Sequence, residues 1–166
     1  MALNRRQFIQ ASAATAAATT VGACSGESVS IDNSLPVGPY NAKSTAEEVT
    51  KGIDLTGKTA LVTGCTSGIG FETMRVLALR GAHVFGTGRT LEKAEEACAL
   101  VTGSTTPLAL ELSDFDSCVA CAQAVAAQGS SLDMLIANAG IGTFSEFELV
   151  GGIEKIFVVN YLGHVI

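Results

Sequence analysis

TGCTSGIG, residues 63–70, places three glycines at spacings of four and two. The run before it, KTALVT (58–63), is short and apolar and suits a buried strand. The run after it, IGFETMRVLALR (69–80), puts Ile69, Thr73, Val76 and Leu77 on a helical stripe, and Gly81 closes it as a C-cap would. Each glycine has a physical use at such a junction. Gly64 lets the chain turn sharply off the strand, Gly68 removes a side chain where a pyrophosphate must approach the backbone, and Gly70 lets the helix pack closely. The free N–H groups of a helix start, with its partial positive charge, then face an anion. Strand, glycine loop and helix together predict a phosphate cradle; a tight βα turn without a ligand is the plain alternative.

The same alternation continues outward. AHVFGT (82–87) reads as a second strand and TLEKAEEACALV (90–101) as a helix whose inner stripe is Leu91, Ala94, Cys98 and Val101. TPLALEL (106–112) is a third strand, and SDFDSCVACAQAVAAQ (113–128) is a helix with Ser113 as its N-cap. LDMLIANAG (132–140) is a fourth strand ending in a glycine turn, and GIEKIFVVNYLGHVI (152–166) begins a last helix. Upstream, STAEEV (44–49) offers Ser44 with Glu47, or Thr45 with Glu48, as a capping box. The expected fold is α/β, a Rossmann-type doubly wound parallel sheet with helices on both faces, truncated after the fourth strand and its following helix. Ligands of such sheets bind at the carboxyl ends of the strands.

The first 24 residues read differently. NRRQFIQ (4–10) sets paired arginines before Phe8 and Ile9, and no charge follows until Glu27. A basic start, a weakly apolar Ala- and Thr-rich middle and a small-residue exit make an export signal over 1–24, and Arg5, Arg6 and Phe8 resemble a twin-arginine signal. VGAC (21–24) resembles a lipoprotein cleavage box, with Cys24 as the lipid anchor; ordinary cleavage near Ala23 is the other outcome. Residues 25–43, with Pro36 and Pro39, read as a linker and 44–166 as the domain. The formal net charge is −6 and no basic run follows Arg6, which argues against nucleic acid as a partner. The expected location is the periplasm, free or membrane-anchored, or the cytoplasm if the signal does not function.

The spacing G-x-x-x-G-x-G after Thr63, the turn ANAG (137–140) and the segment VVNYLGH (158–164) together resemble the short-chain dehydrogenase/reductase superfamily. Ala137 replaces the first Asn of the family's Asn-Asn-Ala-Gly turn. The stretch 44–64, with GIGFET and GAHV, resembles the retinol-dehydrogenase and WW-domain-oxidoreductase branch. The resemblance implies cofactor contacts from Thr63, Gly64, Thr66, Ser67, Gly68, Ile69 and Gly70, and from Asn138, Ala139 and Gly140. Glu111 stands where the family has Asp near the adenine, and Leu112 is expected to flank that ring.

The second strand ends in GTGRT (86–90). Gly88 occupies the position where NAD-specific relatives place an acid, and Arg89 follows it. A carboxylate about 4 Å from a phosphate charge costs about 1–4 kcal/mol; that repulsion is absent, and Arg89 can fork onto a 2′-phosphate. The expected cofactor is therefore NADP(H) in preference to NAD(H).

The resemblance implies an oxidoreductase that exchanges a hydride between the nicotinamide and a small alcohol or carbonyl substrate. Asn160 matches the family's catalytic Asn, which holds a water in a proton relay. The family's Tyr-x-x-x-Lys is not found: Tyr40 and Tyr161 are followed four residues on by Ser44 and Val165. That pair and the catalytic Ser are expected downstream of Asn160, so the 166 residues read as the N-terminal part of a longer, homo-oligomeric enzyme, inactive by themselves. A non-catalytic nucleotide-binding or interaction module of the same fold is the competing reading. Cys118 and Cys121 form C-x-x-C inside a helix and read as buried apolar residues, no metal site is expected, and neither His83 nor His164 acquires a role.

Overall fold

The computed structural model describes residues 38–129, 131–142 and 147–166. The export signal, Cys24 and most of the linker lie outside the described residues.

Helix α1 (Ala46–Val49) starts at a complete capping box: Thr45 Oγ1 accepts from Glu48 N, and Glu48 Oε2 accepts from Thr45 N. Strand β1 (Thr59–Val62) then leads through the glycine loop into helix α2 (Gly68–Leu79). Ala82 N donates to Leu77 O and Gly81 N to Ala78 O, the paired bonds of a Schellman stop. Arg75 ties α2 to α1 through Glu47 at 2.7 Å while also pairing with Glu72.

Strand β2 (His83–Gly88), helix α3 (Leu91–Ala99), strand β3 (Ser104–Ala109), helix α4 (Phe115–Ala127) and strand β4 (Met134–Ile136) complete the alternation. The four strands are parallel in the order β3-β2-β1-β4. The chain therefore runs outward to β3 and returns to pair β4 on the other side of β1, which opens a crevice at the carboxyl ends of β1 and β4.

Side-chain alternation sorts the core into two faces. Ala60, Val62 and Val84 pack against Met74 and Ala78 of α2 and Ala97 and Cys98 of α3. Leu61 and Phe85 point the other way, against Val125 of α4. The sheet is thus doubly wound. His83 bridges β2 to β3, its ring nitrogens lying 2.7 Å from Ser104 Oγ and 3.2 Å from Thr106 Oγ1.

Several boundaries differ from the sequence reading. Ile69 and Leu91 are not core residues: Ile69 is 80% exposed on the first turn of α2, and Leu91 is 44% exposed. The α4 N-cap is Asp114, whose Oδ1 accepts from Asp116 N and Ser117 N; Ser113 instead donates both N–H and O–H to Glu111 Oε1. Strand β3 starts at Ser104 and ends at Ala109, with Pro107 tolerated because β3 is a sheet edge. β4 ends at Ile136 because the next amides turn to bond Thr63.

The expected helix over 152–166 begins only at Lys155. Before it, β5 (Leu149–Val150) and β6 (Ile153–Glu154) form a hairpin turned by Gly151 and Gly152 at φ 58° and 83°, a left-handed pair that two adjacent glycines permit. Glu154 then caps α5 (Lys155–Phe157), accepting from Ile156 N and Phe157 N. A π-helical turn π1 (Val158–Leu162) and a short α6 (Gly163–Val165) follow.

Candidate functional site

A cleft of about 580 Å³ lies over the carboxyl ends of β1, β2 and β4. The glycine loop forms its floor. Gly88 and Arg89 close one side, the 110–113 segment another, and the 138–141 turn with Val159 and Lys155 the far wall.

The loop's glycines have distinct reasons. Gly64 has φ 73°, and a Cβ there would stand 2.9 Å from Ala139 Cβ. Gly68 has φ 60° and faces open space, so its backbone conformation rather than its volume demands glycine. A Cβ on Gly70 would overlap the Gly64 carbonyl oxygen and Asn138 Nδ2, so helix α2 seats directly on the loop and the turn after β4.

Helices α3 and α4 start at side-chain caps, Thr90 and Asp114. Helix α2 does not: Ser67 makes no capping bond, and its first turn holds no acid. Among the described helices of nine residues or more, the start left without a side-chain cap is that of the helix that opens on the cleft, which is the donor set an anionic phosphate needs.

Thr63 joins the loop to the turn from below. Its Oγ1 accepts from Asn138 N and Ala139 N, each at 2.9 Å, and Asn138 Nδ2 donates to Thr63 O at 2.8 Å. Its side chain is buried, and neither it nor Gly68 lines the cleft. Thr87 Oγ1 accepts from Gly64 N at 3.1 Å and so fixes the start of the loop to β2.

Gly88 leaves no room for a side chain. A Cβ there would lie 2.9 Å from Thr66 Cγ2 and 3.0 Å from Ala94 N. Arg89 beside it is exposed and makes no ion pair among the described residues. Glu111 lines the cleft with one carboxylate oxygen committed to Ser113. Leu112 also lines it while packing with Cys118, Cys121 and Val159.

Asn160 stands on π1 outside the cleft lining, with both ends of its amide bonded to the backbone of Ile141. All candidate residues but Thr63, Gly68 and Asn160 therefore gather around one space; Thr63 and Asn160 bond to the backbone of its wall, and Gly68 faces open space. It misses Thr87, Leu110, Ser113, Ile141, Lys155 and Val159 as wall residues. Ser113 and Ile141 adjoin motif positions and could have been found by that proximity. Lys155, paired with Glu148 at 2.6 Å, carries no sequence signal.

Cys65, Cys98, Cys118 and Cys121 are free and buried, and burial pushes the Cys65 and Cys121 thiols up to about 11. Among the described residues no group of His, Cys, Asp and Glu could hold a metal ion, and no helix is long and apolar enough to cross a membrane.

A doubly wound sheet with a glycine loop at its switch point and an uncapped helix start above it defines a dinucleotide-binding domain. Residues 58–166 match the short chain dehydrogenase family, and the chain belongs to that family. Residues 2–22 match the twin-arginine translocation pathway signal sequence. The chain is 36% identical over 130 residues to the WW domain-containing oxidoreductase of Homo sapiens, covering 75% of this chain and 31% of that protein. A metagenomic short-chain oxidoreductase solved with NADP shares 32% identity at a TM-score of 0.54, with 66% of this chain and 52% of that one covered. A 3-ketoacyl-(acyl-carrier-protein) reductase from Brucella melitensis, solved with NADH, shares 29% identity at a TM-score of 0.55, with 66% and 47% covered. The chain spans less than half the length of the curated relatives it matches. The family relationship gives the chain the fold of the short chain dehydrogenases, and the two solved neighbours above hold nicotinamide nucleotides.

Proposed function

We propose that the chain is the cofactor-binding part of an exported NADP(H)-dependent oxidoreductase acting on a small alcohol or carbonyl compound. The observation that carries the choice of NADP(H) is Gly88 packed under Thr66 with the exposed Arg89 next to it, which makes no ion pair among the described residues. No carboxylate fits at 88, so a 2′-phosphate meets no fixed negative charge there and has a guanidinium at hand.

When bound, the nicotinamide nucleotide supplies two-electron redox chemistry. The chain's own residues do the holding. Amides at the start of α2, beside the cleft-lining Ser67, Ile69 and Gly70, take the pyrophosphate. Arg89 takes the 2′-phosphate, Leu112 and the free face of Glu111 border the adenine, and Asn138, Ala139 and Gly140 line the path toward the reacting end. Asn160 acts through Ile141, to whose backbone both ends of its amide are bonded. Its part in proton transfer is then to hold the turn and the π1 backbone in register.

The twin-arginine match supports export of the protein already folded with its cofactor, to the periplasm or to a membrane anchor at Cys24. Self-association of the whole protein belongs to the same proposal; the exposed Phe157 and Tyr161, stacked 5.2 Å apart, support it. The test is nicotinamide-dependent turnover by the whole protein with a panel of hydrophobic alcohols and ketones. Turnover supports the reading. Tight binding without turnover on any of them favours a non-catalytic nucleotide-binding module, and no binding overturns both.

A further inference from the structure

We infer that His164 is a positioning residue for the cleft, taking the proton of the Thr63 hydroxyl and leaving both Thr63 lone pairs to the wall-forming turn. The functional consequence rests on the cleft being the nucleotide site proposed above.

A hydroxyl offers one proton and two lone pairs. The amides of Asn138 and Ala139 can only donate, and both reach Thr63 Oγ1 at 2.9 Å, Asn138 sharing its proton with Ile136 O at 3.0 Å. His164 Nε2 meets the same oxygen at 2.9 Å. With the lone pairs taken, the remaining bond runs from the Thr63 hydroxyl to the ring nitrogen. The competing acceptor, Ile136 O, lies at 3.5 Å, the edge of bonding range. An accepting Nε2 carries no proton, so the neutral ring carries it on Nδ1. That atom is buried without a partner among the described residues.

The placement gives the bond its purpose. Thr63 precedes Gly64, and Asn138 and Ala139 open the turn after β4. His164 sits on α6, next to the π1 turn that supplies Val159 to the cleft wall. Three walls meet at one oxygen. If His164 donated instead, that oxygen would face three donors with two lone pairs, and the turn would lose a bond to Thr63.

The tautomer can be read directly by long-range ¹⁵N–¹H correlation on the histidine-labelled whole protein, with His164→Gln assigning the signal. We expect an unprotonated Nε2 and a protonated Nδ1 at pH 7.5. A protonated Nε2 overturns the inference. Nucleotide affinity supplies the second arm. His164→Leu is expected to weaken NADPH binding about five- to tenfold. His164→Gln, whose amide oxygen can accept the same proton, should stay within about threefold, and Thr63→Val with His164→Leu should be no worse than the weaker single variant. Equal effects of Gln and Leu, wild-type affinity in His164→Leu, or additivity with Thr63→Val would each overturn the inference. Failure of the wild-type protein to bind any nicotinamide nucleotide would overturn the proposed function and the positioning role with it, while the tautomer would still decide the Thr63–His164 bond.

Discussion

The amide of Asn160 closes on the backbone of Ile141 from both sides: Ile141 N donates to Oδ1 at 2.7 Å, and Nδ2 donates to Ile141 O at 2.8 Å. One side chain thus imitates a strand partner for the residue that follows the ANAG turn. Two bonds worth about 1 kcal/mol each predict that Asn160→Ala destabilises the whole protein by about 1–2 kcal/mol. Asn160→Asp keeps the acceptor and loses the donor, so it should fall between. Urea denaturation checks the order; an Asp variant as stable as wild type would show that the Nδ2 bond contributes nothing.

Gly70 and Gly68 separate space from conformation. Gly70→Ala drives a methyl into the Gly64 carbonyl and Asn138, with an expected cost of about 2–3 kcal/mol and loss of nucleotide binding. Gly68→Ala meets no atom and is strained only by its positive φ, at about 1–2 kcal/mol. Paired denaturation curves check this, and equal losses would contradict it.

Asp133 fastens the start of β4 to β1. Its carboxylate accepts from Lys58 Nζ and Thr59 N, each at 2.9 Å, and those bonds, the Lys58 one foremost, hold its pKa below the usual carboxylate value. A lowered native pKa means that the stabilisation is complete above the ordinary carboxylate range and is lost as pH falls through the native value. Asp133→Asn should therefore be less stable than wild type at pH 7, and the difference should shrink on acidification toward pH 3. Urea midpoints across that interval check it; a gap that stays constant would contradict it.

Burial governs the four described cysteines. With Cys65 and Cys121 pushed up to about 11 and Cys98 and Cys118 also raised, chiefly by desolvation, these four thiols should resist a reagent at pH 8 in the native protein and all react in denaturant. Rapid native labelling of Cys118 or Cys121 would contradict their reading as buried apolar residues.

Much of this was legible in the chain. Alternating apolar runs gave β1, β2, α2, α3 and α4 because buried parallel strands and amphipathic helices each leave a periodic mark. The glycine loop was legible because its backbone demands glycine at chosen places. The hairpin before Lys155 was not: two residues per strand leave no period to read, and Gly151 and Gly152 resemble a simple linker. Leu91 misled because apolarity predicts burial, whereas it is 44% exposed at the start of α3; Ile69 lines the cleft where the glycine motif had put it. The Thr63–His164 bond joins residues 101 positions apart, and no local pattern announces such a contact.

The central claim is that the cleft holds a dinucleotide whose 2′-phosphate is taken by Arg89. The most direct measurement is the dissociation constant of NADPH and of NADH on the whole protein and on Arg89→Ala. The account predicts that wild type binds NADPH at least tenfold more tightly, and that Arg89→Ala loses most of that preference by weakening NADPH alone. Tighter binding of NADH by wild type, or an unchanged preference in Arg89→Ala, would contradict it.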